Sequence, residues 1–264
     1  DTQYAVIDNF LVFKFWAGEQ LAYMMPVGSG DLKAVLRELI EDADKEKHNF
    51  CMLGVCSNMR ADLEAILPGQ FTFTENRDYA DYIYLRSDLA TLKGKKFQAK
   101  RNHINRFRNT YPDYEYTPIT PDRIQECLDL EAEWCKVNNC DQQEGTGNER
   151  RALIYALHNF EALGLTGGIL HVNGKIVAFT FGMPINHETF GVHVEKADTN
   201  IDGAYAMINN EFANHIPEQY IYINREEDLG LEGLRKAKLS YQPVTILEKY
   251  MACLKDHPMD IIRW

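Results

Sequence analysis

The chain has 264 residues, 45% of them hydrophobic and 11% aromatic, with a net charge of -11. That is enough apolar material for one large domain or two of roughly 130 residues, and it excludes a disordered chain. No run of about 18 apolar residues occurs, since the strongest, FLVFKFW, is interrupted at Lys14, and a helical membrane span is not expected.

Strands are expected at YAVI, FLVFKFW and LAYMM, where β-branched and aromatic residues cluster. Gly28-Ser29-Gly30 then leads to Asp31, a plausible N-cap for a helix whose stripe is Leu32, Val35, Leu36, Leu39 and Ile40. A strand FCMLGV, a helix MRADLEAIL and a strand FTFT follow, giving the alternation of an α/β or α+β unit. Next comes KGKKFQAKRNHINRFR, residues 93 to 108, with seven basic side chains and no carboxylate. Those seven account for a quarter of the chain's 28 basic residues, and without them the other 248 residues carry -18 (-11 less 7).

Tyr111-Pro112 stops this helix, expected over 94–110, and YEYTPI forms a strand. Helices PDRIQECLDLEAEWCKVNN and NERRALIYALHNFEALG precede three strands, LTGGILHV, KIVAFTFGMPI and ETFGVHVEKA; Asn173-Gly174 marks a tight hairpin between the first two. Helix GAYAMINNEFANHI, strand QYIYIN, helix GLEGLRKAKLSY and a last strand VTILEKYMACL complete the pattern.

Three stretches carry the chemistry. On a helical wheel the basic segment has an apolar stripe of Phe97, Ile104, Phe107 and Tyr111; Lys100 falls inside it and Arg101 at its border. Charges there point to an anion held against the rest of the fold, whereas long side chains snorkelling around a packed helix are the plain alternative. Asn200, Gly203 and Ala204 lie where a strand turns into a helix, a place where unpaired N–H groups and the helix dipole favour a phosphate. Strand YIYI runs into Asn224, Arg225, Glu226, Glu227 and Asp228, followed by Arg235 and Lys238, crowding charge at a strand's carboxyl end where ligand clefts form.

The order β-α-α-β-β-β-α-β-α-β of the second half resembles the GNAT acetyltransferase fold. KGKKFQAKRNHINRF and NREEDLGLEGLRKAKLSYQPVTILEKY, about 120 residues apart, resemble the soluble family related to the C-terminal domain of phosphatidylglycerol lysyltransferases, and the likeness spans nearly the whole chain. The resemblance implies an α/β (α+β) fold of two tandem GNAT-like domains, each a mixed central sheet flanked by helices, sharing a central cleft. Their expected extents are 1–110, partial and ending in the basic helix, and 111–264. It also implies that Lys100, Arg101, Asn102 and the segment from Asn224 to Lys238 border that cleft, and that relatives move an aminoacyl group from tRNA to a lipid headgroup or a peptide amine. The GNAT phosphate pattern [QR]-x-x-G-x-[GA] is met only at Gly203, which weakens coenzyme A binding.

Acyl transfer needs a base for the nucleophile's proton and positive charge for the tetrahedral oxygen. Glu195 is the best-placed base on its strand, with His193 on the same face by period two as the alternative. Tyr241 or Tyr205 is a candidate acid for the leaving group, and Arg225 and Lys100 suit phosphate or oxyanion charge. A metal is not expected, because the eight histidines form no HxxxH or HExxH and the six cysteines no CxxC; nucleotide hydrolysis and serine chemistry lack their motifs. The cysteines read as free, packed thiols in a reducing, cytoplasmic setting with no leader; a start at Asp1 rather than Met leaves room for an upstream segment. Three readings follow: an aminoacyl-tRNA-dependent transferase, an N-acyltransferase using acyl-coenzyme A, and a non-catalytic anion- or RNA-binding module. The acceptor, whether small molecule, peptide or lipid headgroup, and the oligomeric state are left open.

Overall fold

The computed structural model describes residues 2–138 and 146–255. In chain order the elements are β1 (Gln3–Ile7), β2 (Phe10–Ala17), β3 (Gln20–Met24), β4 (Val27–Gly28), α1 (Leu32–Lys45), β5 (Cys51–Val55), α2 (Ser57–Ile66), β6 (Phe71–Glu75), β7 (Asp81–Leu85), α3 (Arg86–Thr91) and α4 (Gln98–Thr110). Then follow β8 (Glu115–Pro118), α5 (Ile124–Asn138), α6 (Thr146–His158), β9 (Thr166–Val172), β10 (Lys175–Pro184), β11 (Thr189–Ala197), α7 (Ala204–His215), β12 (Tyr222–Asn224), α8 (Glu232–Leu239), β13 (Thr245–Leu247) and β14 (Tyr250–Leu254).

They form two compact units, each with a mixed sheet flanked by helices. The first holds residues 2–81, 227–231 and 247–255. Its sheet runs β1-β2-β3-β5-β14-β6, with β4 paired to β2 and a parallel junction between β3 and β5. Asp31 caps α1 by accepting from the Ala34 N–H at 3.1 Å, and Val35, Leu36, Leu39, Ile40 and Ala43 bury the predicted stripe against Leu21, Tyr23 and Met52.

The second unit holds the described residues of 82–226 together with 232–246. Its sheet runs β13-β7-β12-β11-β10-β9-β8. One core contains α4 and α7 residues, Ile104, Phe107, Met207 and Phe212, with Tyr84 and Phe190 of the sheet; another joins Leu130, Leu153 and Leu157 of α5 and α6 to Phe179 and Phe181. Asn173 and Gly174 take positive φ, 52° and 72°, as the two-residue turn between β9 and β10 requires.

Three expectations are corrected. The units do not divide at 110/111, because α3 and α4 bury Leu89, Ile104 and Phe107 in the second core. VTILEKYMACL is two strands in different sheets, β13 and β14. The cysteines are not all free: Cys51 and Cys253 face each other on one β5–β14 rung and form a disulfide across 202 residues, a pairing that no sequence spacing signals. Cys56, Cys127 and Cys135 are free thiols, and Cys140 lies outside the described residues.

Candidate active site at a strand fork

β11 and β12 run parallel for three rungs, Thr189↔Tyr222, Phe190↔Ile223 and Gly191↔Asn224. Beyond them β11 stays with β10 as far as Ala178↔Ala197, while the Arg225 N–H turns to the carbonyl of Tyr82 at 3.0 Å. The strands therefore part, and the polar end of YIYIN lies at the fork.

Two side-chain pairs bridge it. Arg225 Nη2 donates to Glu195 Oε1 at 2.9 Å, with the two side chains only 11% and 13% exposed. His193 Nδ1 meets Glu226 Oε1 at 2.6 Å. The second carboxylate oxygen of Glu195 accepts from Asn209 Nδ2 of α7 at 3.0 Å. Two buried atoms of this cluster, Arg225 Nη1 and Asn209 Oδ1, have no hydrogen-bond partner among the described residues. Such orphaned groups are uncommon in a folded interior and mark places where a ligand or water completes the network.

Lys100 enters from α4, where the wheel placed it inside the apolar stripe. Its Nζ stands 3.9 Å from the centre of the Tyr241 ring, and the Arg225 guanidinium carbon lies 4.9 Å from the same ring and 5.6 Å from that of Tyr84. Lys100 makes no hydrogen bond or ion pair with any described residue. Burial, and then the neighbouring Arg225, push its pKa down to about 8 against the opposing pull of Glu195. Burial also works against the charge of Arg225, but Glu195, Tyr84 and Tyr241 outweigh it, and that group is held more firmly protonated. Tyr241 is raised well above the usual phenol range, mainly by burial, so it stays protonated.

The backbone at the fork is fixed in place. Glu226 has φ +56°, a region that costs a non-glycine residue about 1 kcal/mol or more. Its N–H donates to Asn224 Oδ1 at 2.7 Å, and its carbonyl accepts from the Tyr82 N–H at 3.1 Å and from Lys238 Nζ at 3.2 Å. Lys238 also donates to the Arg225 carbonyl, and its own carbonyl accepts from the Tyr84 hydroxyl at 2.8 Å.

The structure thus brings Glu195, His193, Tyr241, Lys100, Asn224, Arg225 and Lys238 together, with Asn224 and Lys238 fixing the main chain. Arg101 is directed elsewhere: it donates to the carbonyls of Leu92 and Gly94 and to Gln98 Oε1, closing its own loop. Asn102 is exposed and accepts from Gln98. Asp228 is buried in the first unit, where it meets Arg77 at 3.4 Å and caps Gly230; Arg235 is half-buried on α8. Asn200 is exposed and bonded to Asp198. Gly203 precedes α7 with φ +85°, where a Cβ would come within 2.9 Å of the His103 carbonyl oxygen, and Ala204 is buried. Helix α4 therefore covers the start of α7, and Asp202 beside it pairs with Arg106 at 2.7 Å.

Three of the seven basic side chains of this stretch answer acids of this second unit: Lys96 pairs with Asp88, Arg106 with Asp202 and Arg108 with Glu211. The β10–β11 register passes from Phe181↔Val194 to Gly182↔Val192, leaving His193 at a bulge, and both His193 and Glu195 reach partners at the fork. Asn209 escaped the sequence reading, whereas Glu226 entered it only as one of the charges at the end of YIYI. The former had one signal, two consecutive asparagines inside the otherwise apolar helix AYAMINNEF.

Residues 1–253 match the family model of the phosphatidylglycerol lysyltransferase C-terminal domain. The chain belongs to this family. A solved protein from Bacteroides thetaiotaomicron VPI-5482, described as a conserved protein of unknown function, is 95% identical, with a TM-score of 0.93 over 96% of this chain and 86% of its own. The C-terminal domain of a putative lysylphosphatidylglycerol synthetase from Agrobacterium fabrum is 14% identical, with a TM-score of 0.75 over 97% of this chain and 84% of its own. A tandem GNAT protein from the clavulanic acid pathway is 10% identical, with a TM-score of 0.51 over 94% of this chain and 80% of its own. These two likenesses support the GNAT-like fold. An uncharacterized protein of Mycoplasmoides gallisepticum is 26% identical over 175 residues, 65% of this chain; the match spans about half, 55%, of that relative's length. The lysyltransferase-family domain seen here has no helix, among its described residues, long and apolar enough to cross a membrane.

Proposed function

We propose that this lysyltransferase-family domain is an acyltransferase whose strand fork holds an activated, negatively charged donor, an aminoacyl-tRNA, and passes its acyl group to an amine or hydroxyl acceptor. One observation carries the reading. Two cations, Lys100 and Arg225, meet over a single tyrosine ring with one carboxylate, Glu195, to balance them, inside a chain of net charge -11. Buried, unbalanced positive charge is costly unless a ligand supplies the matching anion. Arg225 and Lys100 would hold a donor phosphate or the oxyanion of the tetrahedral intermediate, and the protonated Tyr241 stands against both.

The coenzyme A reading has less support. The turn that would cradle a pyrophosphate, Asn200 to Ala204, has Gly203 packed against α4, follows Asp198 and carries Asp202. A cytoplasmic setting and an acceptor that is a small molecule, a peptide or a lipid headgroup belong to the same proposal, the first because charged tRNA is found there.

The test is transfer from lysyl-tRNA carrying radiolabelled lysine to a panel of amines and lipid headgroups, alongside binding of tRNA and of coenzyme A at several salt concentrations. The proposal expects transfer, and donor binding that weakens at least tenfold in Lys100→Met. Saturable stabilisation by coenzyme A with no response to lysyl-tRNA overturns it in favour of acyl-coenzyme A. Salt-dependent tRNA binding without turnover leaves a binding module instead.

A further inference from the structure

We propose that His193, positioned by Glu226, takes the proton of the incoming nucleophile, and that Glu195 serves to hold Arg225 rather than to act as the base. The inference rests on the transfer reading of the fork and assigns its proton acceptor.

The contrast between the two side chains carries it. Glu195 has both carboxylate oxygens engaged, one by Arg225 at 2.9 Å and one by Asn209 at 3.0 Å, and its side chain is nearly buried. Engaged at both oxygens and nearly buried, this carboxylate has little to offer a substrate. His193 is the opposite case: Nδ1 meets Glu226 at 2.6 Å, Nε2 has no partner among the described residues, and about a third of the side chain is exposed. Because Glu226 is a carboxylate, Nδ1 donates to it, and the neutral ring then carries its lone pair on Nε2.

The surroundings are shaped for that ring. His193 lies at the β11 bulge, on the side of the fork where Glu226 meets it. Glycine at 191 leaves it room, since a Cβ there would lie 3.3 Å from His193 Cε1 and 3.0 Å from Ile185. Glu226 is held at positive φ by Asn224, Tyr82 and Lys238, and that conformation aims its carboxylate at the imidazole. Glu226 pairs with the ring, and the other ion pair of the fork joins Arg225 to Glu195 on the histidine's own strand.

In the step assigned here, His193 Nε2 accepts the N–H or O–H proton as the acceptor atom bonds to the acyl carbon. The ester bond from that carbon to the donor's ribose oxygen breaks, and the imidazolium returns the proton to this oxygen. The protein ends as it began. His193 is the catalytic residue and Glu226 a positioning residue.

Long-range proton–nitrogen NMR correlation on nitrogen-15-labelled protein reads the ring directly, and transfer from lysyl-tRNA reads its role. The expected neutral form of His193 is protonated on Nδ1 with Nε2 bare, a preference that Glu226→Gln weakens. His193→Gln should lower the transfer rate about 100-fold or more while donor affinity stays within about twofold, and added imidazole should restore part of the rate of His193→Ala. A wild-type ring protonated on Nε2, or transfer that survives His193→Gln undiminished, overturns the assignment while leaving the transfer reading intact. A wild-type protein that transfers to no acceptor overturns that reading, and the role of His193 with it.

Discussion

Each unit contains a parallel junction in its sheet, and the two are chemically opposite. In the first, β3 and β5 pair at Tyr23↔Met52 and Met24↔Leu53, with Tyr23 and Met52 buried, and Met25 and Val55 continue the apolar packing. In the second, β12 leaves β11 after three rungs, and Arg225, Glu195 and Asn209 fill the gap. Closing a junction with apolar side chains is the cheaper solution; a buried ion pair must overcome the desolvation of both charges and commonly gains nothing over a hydrophobic pair. The fork is therefore built for something other than stability, whereas the first junction is built to hold. The first sheet is further tied by the Cys51–Cys253 disulfide.

Four measurements sharpen that contrast. The largest effect is expected from Arg225→Met, which leaves Glu195 buried without its partner and should destabilise by about 3–5 kcal/mol in urea unfolding. Combining it with Glu195→Leu should recover most of that loss while transfer stays abolished. Full stability in the single variant would mean that the pair is solvated. Next is the first unit: Cys51→Ser with Cys253→Ser should cost about 2–5 kcal/mol, and alkylation followed by mass spectrometry should find the pair oxidised in the native chain.

Lys100→Met should weaken binding of the anionic donor about tenfold, roughly 1.4 kcal/mol, and change the alkaline stability profile. With a folded pKa of about 8 against an ordinary 10.5, the unfolded chain binds more protons between those values. Lys100 thus burdens the fold below pH 8, and its contribution improves as pH rises toward 10.5. The variant should be flat where the wild type gains, and donor binding near pH 8 should take up a proton, measurable by calorimetry in two buffers. The smallest effect is expected one residue along. Arg101→Ala should cost about 1 kcal/mol of stability by releasing the Leu92 and Gly94 carbonyls, with donor affinity unchanged.

Lys100 and Arg101 also mark the boundary of what could be read beforehand. The helical wheel puts Lys100 inside one apolar stripe and Arg101 at its border, but it cannot say what either side chain meets. The difference lies in what each meets: a tyrosine from the segment after α8 for one, the carbonyls of the preceding loop for the other. The same holds for Glu195 and His193, which strand alternation offers together: one meets Arg225 and Asn209, the other Glu226.

The α1 stripe and its Asp31 cap, the turn at Asn173-Gly174 and the polar end of YIYIN are local properties, set by periodicity and turn chemistry within a few residues, and the sequence alone determined them; β7, α3 and the break inside VTILEKYMACL were not legible in it. Which cation faces inward, which carboxylate oxygen is already occupied, which two cysteines share a rung and which strand joins which sheet depend on partners up to 202 residues away. Those pairings depend on burial and hydrogen bonding across the sheets and helices, and only the tertiary structure decided them.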